Sequence, residues 1–345
     1  MRWMARHRPE IYAATRFVLT PKDYCLRALA GVAVSDPMSN FFIVGKTLAY
    51  LEPLLARVEG AQERLAPLRA FTDVVGEIAG VQRQTRARRG GHDGRLERPV
   101  RRGRPRARTR AYMSGTSEIL AAASRERGGA PGVVSFSEAA GLNIRAGPTQ
   151  SDGDSLRWSG QTVGADVAGV LALAGQADRA GRPLLFLPHL EGERAPLWDP
   201  HLRGAFIGIE SAARGPDFAL AALEGVALSA RWLLQSIDAA TGAPPPRLFH
   251  AGGGARSDLW TQIRADCLGR PLDRGARLDV GCRGDAIMAS VGIGRHARLS
   301  AGVAAMTRVE RIFEPNPRLR SRCDAMFEAY MRSTEALRSH GRVAN

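Results

Sequence analysis

The spacing of apolar residues predicts helices in the first part of the chain. Residues 1–31 form two amphipathic segments, and the second of them predicts a helix over 22–29 that starts at Pro21 and closes at Gly31. Apolar residues also recur at helical spacing over 48–58. This part of the chain therefore predicts short helices joined by turns.

After the first third of the chain, the pattern changes to short apolar runs that alternate with helical segments. The long helix expected over 217–237 has apolar residues at intervals of three and four along its length. This alternation indicates an α/β fold. The expected strands are 111–113, 184–187, 205–209 and 248–250, and the expected helices are 217–237, 257–268 and 284–291.

The charge of the chain is concentrated in one segment. The formal net charge is +15, and residues 81–110 hold 12 arginines against Asp93 and Glu97, which leaves only +5 for the rest. A basic run of this kind can bind nucleic-acid phosphates. However, the run has few bulky aliphatic residues and no aromatic residue on which bases could stack. The protein is therefore a near-neutral globular chain with one basic insert.

Length and composition limit the class of protein. With 345 residues, 44% of them hydrophobic, the chain can bury one large core or two ordinary ones. No apolar run is long enough to span a membrane, and no signal peptide opens the chain. The four cysteines lack the CxxC spacing of zinc sites. These features favour a cytoplasmic protein without a membrane partner.

Two small-residue turns could carry chemistry. Gly252–Gly254 lies between an expected strand and an expected helix, an arrangement that directs backbone amides towards an anion. A plain tight turn explains these glycines equally well. Ser114–Ser117 offers amides and hydroxyls to phosphate oxygens, but taken alone it is more typical of a helix N-cap with Glu118 in the first turn. His189 and His250 have no Ser or Cys partner in the sequence and are interpreted as structural.

Two longer motifs resemble a known family. The run Gly204-x-Phe206-x-Gly208-Ile209, followed after seven residues by Asp217-Phe218-x-x-Ala221-Ala222-Leu223-Glu224, resembles the C-terminal signature of the FGGY carbohydrate kinases. The start of the chain, Met1-x-Trp3-Met4-x-Arg6-His7, is similar to the tail of the other signature of that family. Other segments fall in the family's order: Leu19-x-Pro21-Lys22-Asp23-Tyr24, Ser35-Asp36-Pro37, Gly115-Thr116-Ser117 and Gly252-Gly253-Gly254-Ala255-Arg256-Ser257. The similarity is greatest to xylulokinase-like members.

The resemblance implies an actin-like, ribonuclease-H-like fold of two lobes and an ATP-dependent kinase that phosphorylates a sugar or polyol hydroxyl. In the family, the Gly-Thr-Ser turn faces the γ-phosphate and the GGGA turn packs on the adenosine side, with Mg²⁺ bridging the phosphates. The implied partner is the sugar, with no specific nucleic acid, and the sequence leaves a homodimer open. The implied ATP-binding residues are Gly115, Thr116, Ser117, Gly252, Gly253, Gly254, Ala255 and Ser257. The expected organisation is a remnant of the sugar-binding lobe over 1–80, the arginine-rich insert over 81–110, the ATP-binding lobe over 111–312 and a helical tail over 313–345.

The chain departs from the family in two places. It lacks the Asp-x-Gly-Thr phosphate loop of the family's N-terminal lobe, so we expect an N-terminally truncated kinase. The family's catalytic aspartate precedes the Gly-Thr-Ser turn, where this chain has the arginine-rich insert. The catalytic residue is therefore left unassigned.

The insert resembles a gene segment translated out of frame. Moving the frame of residues 92–103 forward by one nucleotide permits codons for Thr-Met-Asp-Ala-Trp-Asn-Ala-Leu-Phe-Gly-Val-Gly, which is similar to the family segment with the catalytic aspartate. That aspartate would be encoded across the codons of Gly94 and Arg95, so neither residue replaces it. We expect residues 81–110 to be disordered or poorly packed and the chain by itself to be inactive. Two alternatives remain open, a non-catalytic nucleotide-binding remnant and a nucleic-acid-binding protein that uses the insert.

Overall fold

The computed structural model describes residues 1–45, 47–77, 109–125, 128–136, 141–242 and 246–343. The chain divides into two compact units. The first unit comprises Met1–Arg106, Ser137–Ala140 and Ala286–Val303, and the second comprises Ala107–Phe136, Gly141–Asp285 and Ala304–Asn345.

Helices and strands alternate through most of the second unit, as an α/β fold requires. The helices are α1 Arg2–His7, α2 Pro9–Ala14, α3 Pro21–Ala30, α4 Glu52–Leu55, α5 Gly153–Val163, α6 Val167–Ala174, α7 Gly215–Thr241, α8 Asp258–Leu268, α9 Val280–Gly292, α10 Leu299–Met306 and α11 Arg320–Val343. The strands are β1 Thr109–Ser114, β2 Glu118–Ser124, β3 Val134–Ser135, β4 Asn143–Pro148, β5 Leu185–Leu187, β6 Ala205–Ile207, β7 Leu248–Gly252, β8 Leu272–Gly275 and β9 Val309–Phe313.

The first unit contains α1–α4, and its helix ends follow local sequence signals. The Thr20 side chain caps α3, Pro21 occupies its first turn, and Gly31 ends it with a φ of 72°. The expected helix over 48–58 is largely wrong, because only α4 is helical there. Leu48 has a φ of 59°, which no α-helix allows, and its amide closes a turn instead.

A seven-stranded sheet forms the centre of the second unit, with the strand order β3-β4-β2-β1-β7-β8-β9. Strands β1, β7 and β8 are parallel neighbours, whereas the other pairs in this sheet are antiparallel. Strands β5 and β6 pair separately. The strand expected over 205–209 ends at Ile207, because Gly208 turns the chain with a φ of 85°.

The core of the second unit is built around α7, which is buried along most of its length. One part of α7 packs with residues of the sheet, including Tyr112 and Leu248. Another part packs with α6, α8 and α11 through Val170, Trp260 and Phe327. Within the described ranges, no helix combines the length and the hydropathy that a membrane span needs.

The structure tests three expectations about the second unit. Arg110, assigned to the poorly packed insert, lies buried in β1 and pairs with Asp238 at 3.2 Å, while residues 81–108 lie outside the described residues. The N-cap interpretation of 114–117 is wrong, because Glu118 starts β2 and no helix follows. Residues of the expected C-terminal tail belong to the core, since α11 places Met326, Phe327 and Tyr330 in it.

Candidate functional site

The two small-residue turns follow neighbouring parallel strands. β1 ends at Ser114 and β7 at Gly252, and these two residues are paired across the strands. Residues 115–117 connect β1 to β2, and 253–256 form one 3₁₀ turn that leads into α8. The eight predicted ATP-binding residues thus lie at the same end of the sheet, where the parallel strands β1 and β7 end.

Close packing between the turns explains two of the three glycines. Gly252 has a φ of 94°, and a Cβ there would lie 2.1 Å from the Ser114 carbonyl oxygen. A Cβ on Gly254 would lie 2.0 Å from Ser114 Oγ. Gly253 differs, because it is exposed and a Cβ there would have no atom within 4 Å. The middle glycine therefore presents bare backbone to open space.

The backbone of the first turn, 115–117, is hydrogen-bonded to the start of α5. The Gly153 amide donates to the Gly115 carbonyl at 3.0 Å, and the Asp154 amide donates to the Thr116 carbonyl at 3.1 Å. Gly115 and Thr116 are exposed and Ser117 is half-buried. The backbone of this turn is thus held in place while its outer side stays open.

The second turn passes directly into the N-terminus of α8. Ser257 caps that helix, and its side chain accepts a hydrogen bond from the Trp260 amide at 3.2 Å. Ala255, which is part of this turn, is completely buried. A glycine turn followed by a helix N-terminus is a favourable position for an anion, because free amides and the helix dipole both act there.

A buried ion pair lies beneath the two turns, and the sequence analysis did not identify it. Asp152, just before α5, pairs with Arg264 of α8, and both side chains are fully buried. Ser114 Oγ donates to the Asp152 carboxylate at 2.6 Å. Burial raises the pKa of the Asp152 carboxyl, while the Arg264 charge and the Ser114 hydrogen bond act in the opposite direction.

Further buried polar groups surround this pair. Burial, with the nearby Asp152 charge, raises the pKa of Glu118 well above its ordinary value, and the Tyr112 hydroxyl donates to Glu118 at 2.6 Å. Burial and the Arg264 charge lower the pKa of His250 to about 3, so its ring is neutral at physiological pH. The ring nitrogen Nδ1 of His250 lies 3.1 Å from the Tyr112 carbonyl oxygen, to which it donates. The interpretation of His250 as structural agrees with this geometry.

His189 is also enclosed in the protein. Its Nδ1 lies 3.0 Å from a carboxylate oxygen of Glu193, and its Nε2 lies 3.2 Å from the Tyr330 hydroxyl. The same Glu193 accepts hydrogen bonds from the backbone amides of Gln150 and Arg194, at 2.7 and 2.9 Å. With both ring nitrogens occupied by buried partners, His189 holds the loop after β5 in place.

The family-like residues of the first unit form their own polar cluster. Lys22 pairs with Asp23 and, at 3.0 Å, with Asp36. Although burial opposes it, hydrogen bonds from Ser39 and Lys22 hold the pKa of Asp36 below its ordinary value. Asn40 donates to Ser35 at 2.6 Å. These contacts tie the start of α3 to the loop at 35–40.

Comparisons with known proteins assign this chain to a family. Residues 112–293 match the model for the C-terminal domain of the FGGY family of carbohydrate kinases. A xylulose kinase of Staphylococcus epidermidis is 26% identical over 360 residues, which cover 98% of this chain and 71% of that protein. A xylulose kinase of Escherichia coli is 30% identical over 295 residues, 81% of this chain and 60% of that protein. A glycerol kinase of Acaryochloris marina is 30% identical over 187 residues, 54% of this chain and 37% of that protein.

Solved structures support the same fold. A ligand-bound xylulose kinase from Lactobacillus acidophilus has a TM-score of 0.84 at 23% identity, covering 100% of this chain and 72% of that one. A gluconate kinase from the same organism has a TM-score of 0.82 at 23% identity, covering 97% of this chain and 70% of that one. The expected α/β fold of actin-like sugar kinases and the family resemblance are therefore confirmed.

Proposed function

Because the chain belongs to the FGGY family of carbohydrate kinases, we propose that it binds ATP at the turns 115–117 and 252–257. Its reaction class is transfer of the γ-phosphate to a hydroxyl of a sugar or polyol. The observation that carries this proposal is the placement of both turns at one sheet edge, after the paired residues Ser114 and Gly252.

The donor groups of the two turns suit phosphate oxygens. The exposed backbone of Gly115 and Thr116 and the open face of Gly253 allow close approach of an anion. Ala255 and Ser257 lie on the α8 side, where the helix N-terminus adds a favourable potential. These residues therefore bind and orient the phosphates through amides and hydroxyls.

A magnesium ion fits this arrangement as part of the bound nucleotide. Within the described residues, no group of three or more His, Cys, Asp or Glu side chains could hold a metal ion. Mg²⁺ in kinases is commonly held by the substrate phosphates with one or two carboxylates, so a protein cage is not required. When bound, Mg²⁺ neutralises charge on the phosphates.

The acceptor that we propose is a xylulose-like sugar. Relatives that match most of this chain are named xylulose kinases, whereas the glycerol kinase matches about half of it. Phosphoryl transfer to a sugar hydroxyl also needs a carboxylate to accept the proton. In the segment 81–110, where the family places that carboxylate, the acidic residues are Asp93 and Glu97, and neither stands at the family's position.

We therefore propose that the 345-residue chain by itself binds ATP but does not phosphorylate the sugar. Positioning by the turns is retained, while the general base is missing, and general-base catalysis contributes roughly 10²–10⁴-fold to rates of this kind. Of the alternatives, the closely packed Gly252 and Gly254 and the open Gly253 of the second turn favour the nucleotide-binding remnant over a nucleic-acid-binding protein.

Two measurements on the purified chain test this proposal. Calorimetry with ATP and Mg²⁺ is expected to show binding, and a coupled assay for ADP is expected to show no increase when xylulose, glycerol or gluconate is added. Absence of ATP binding would contradict the nucleotide site. Any sugar-dependent ADP formation would contradict the proposed inactivity.

A further inference from the structure

Arg264 is a buried cation that the turns themselves do not explain. The residue lies on the inner face of α8 and is completely buried, with its guanidinium 3.6 Å above the Trp260 ring. One terminal nitrogen pairs with Asp152, while Nε and Nη1 have no hydrogen-bond partner among the described residues. A buried arginine with free N–H groups is costly, so a structural reason for its position is required.

The free Nη1 of Arg264 lies next to Gly254 of the second turn. A Cβ on Gly254 would be 2.7 Å from this nitrogen and 2.0 Å from Ser114 Oγ. The Gly254 backbone is therefore packed against both Arg264 and Ser114, the last residue of β1. Arg264 therefore connects the second turn to Asp152.

The Asp152 end of the ion pair lies beneath the first turn. One carboxylate oxygen accepts the Ser114 hydroxyl at 2.6 Å, and the amides of the next two residues, Gly153 and Asp154, hold the carbonyls of Gly115 and Thr116. Ser114, Asp152 and Arg264 thus form one continuous connection between the turns, which we term the Ser114–Asp152–Arg264 bridge.

Stability alone is a poor reason for such a bridge. Burying two charges costs about as much free energy as their attraction returns, and apolar residues of similar size commonly do as well. What an ion pair adds is directional geometry, because the guanidinium and the carboxylate accept only a narrow range of distances and angles. The stacking of Arg264 on Trp260 restricts that geometry further.

We propose that Arg264 and Asp152 are positioning residues that fix the distance between the two turns for a ligand whose phosphates reach from one turn to the other. This inference rests on the proposed binding of ATP across the turns. A triphosphate contacts both turns and depends on their spacing, whereas a monophosphate contacts the second turn alone. The bridge therefore selects for nucleotides with a long phosphate chain, and it acts through the backbone of the turns.

The decisive experiment compares the dissociation constants of ATP and AMP. In the double variant Asp152→Ala/Arg264→Met, both charges are removed together, so that no unpaired charge remains buried. We expect the ATP dissociation constant to rise roughly tenfold, the effect of losing about one charge-assisted hydrogen bond, while that of AMP changes less than about twofold. Thermal unfolding of the same samples reports their stability.

A matched control uses a second buried ion pair of the same unit. Arg322 of α11 holds Glu224 of α7 with two hydrogen bonds of 2.7 and 3.1 Å. The variant Glu224→Ala/Arg322→Met is expected to leave the ratio of the ATP and AMP dissociation constants unchanged, even where its melting temperature falls. An equal change of the ratio in both double variants would contradict a positioning role.

Ser114→Ala provides a milder test if the double variant does not fold. It removes one hydrogen bond of 2.6 Å and leaves the ion pair intact, so we expect a several-fold rise for ATP and none for AMP. ATP binding by the wild-type protein with an unchanged ratio in Ser114→Ala or in the double variant would contradict this inference only. Failure of the wild-type protein to bind ATP would contradict the proposed function and this inference together.

Discussion

At the scale of single residues, the three consecutive glycines have different physical roles. Gly252 and Gly254 are packed against Ser114, and a methyl group on either would overlap its atoms. Gly253 faces open space, so its lack of a side chain matters for what approaches from outside. The sequence does not distinguish the three glycines, whereas their packing against Ser114 of β1 does.

Gly254→Ala is expected to lower the free energy of unfolding by about 2 kcal/mol, since overpacking a close contact costs roughly 1–3 kcal/mol. The new methyl would lie 2.0 Å from Ser114 Oγ and 2.7 Å from Arg264 Nη1, and the ion pair restrains both neighbours. Urea unfolding measures the loss. Gly253→Ala is the matched control, with an expected change within about 0.5 kcal/mol. Equal losses in the two variants would rule out the packing that we describe.

The neutral ring of His250 predicts a specific pH dependence. Its pKa is about 3 in the folded protein but about 6.5 in an unfolded chain, so the unfolded state takes up the proton first. The contribution of His250 to stability is complete above about pH 6.5 and is lost as the pH falls from there towards 3. The raised pKa of Glu118 acts in the opposite direction.

Comparison with His250→Asn isolates this contribution, because Glu118 is present in both proteins. Between about pH 6 and 4, urea unfolding is expected to show a fall in stability that is steeper in the wild-type protein by up to about 1.4 kcal/mol per pH unit. Parallel curves for the two proteins would show that His250 is protonated as easily in the folded state as in the unfolded one.

Arg264 shows how far the sequence could define the site. The helix expected over 257–268 has apolar residues at Leu259, Trp260, Ile263 and Cys267, and position 264 lies on the same face. A charged residue on an apolar face indicates a buried partner, so the signal was present. Its partner could not be named, because Asp152 is distant in the chain and meets Arg264 only after the sheet has formed.

At the scale of elements, the strands and helices that the sequence predicted after residue 110 are present, whereas β2, β3, β4, β8, β9, α5, α6 and α10 were not predicted. The apolar spacing over 257–268 predicted α8, and the run at 248–250 predicted β7. The hairpin of β1 and β2 was missed, because Ser-Gly-Thr-Ser followed by a glutamate has the same local signature as a helix start. Pairing of β2 with β4, over a loop of many residues, decides in favour of the strand.

The last helix, α11, contributes to the core, although the sequence analysis assigned residues 313–345 to a helical tail separate from the ATP-binding lobe. Phe327→Ala is expected to lower the free energy of unfolding by about 3–5 kcal/mol, because the Phe327 ring is 3% exposed in the core cluster. Glu328→Ala removes an exposed neighbour and serves as the control, with a change below about 1 kcal/mol. Denaturant unfolding measures both. A loss from Phe327→Ala as small as the control would place α11 outside the cooperative unit.

At the scale of the whole molecule, we propose that the arginine-rich segment arose from a change of reading frame in the gene. The proposed frameshift predicts the bases of codons 92–103, which in the frame shifted by one nucleotide should spell Thr-Met-Asp-Ala-Trp-Asn-Ala-Leu-Phe-Gly-Val-Gly. Sequencing the gene measures this directly. A stop codon within the shifted frame between codons 81 and 110 would contradict the proposal.

The order of the strands along the chain has a consequence for how sequence changes are tolerated. Every strand of the described sheet begins at Thr109 or later, and Arg110 of β1 is buried and paired with Asp238. A change of reading frame that ends before this point alters no hydrogen-bonded strand pair of the sheet and no residue of the two turns. Selection on the proposed nucleotide-binding part can therefore continue after a change of reading frame in the preceding segment, and the two parts of the gene are free to decay at different rates.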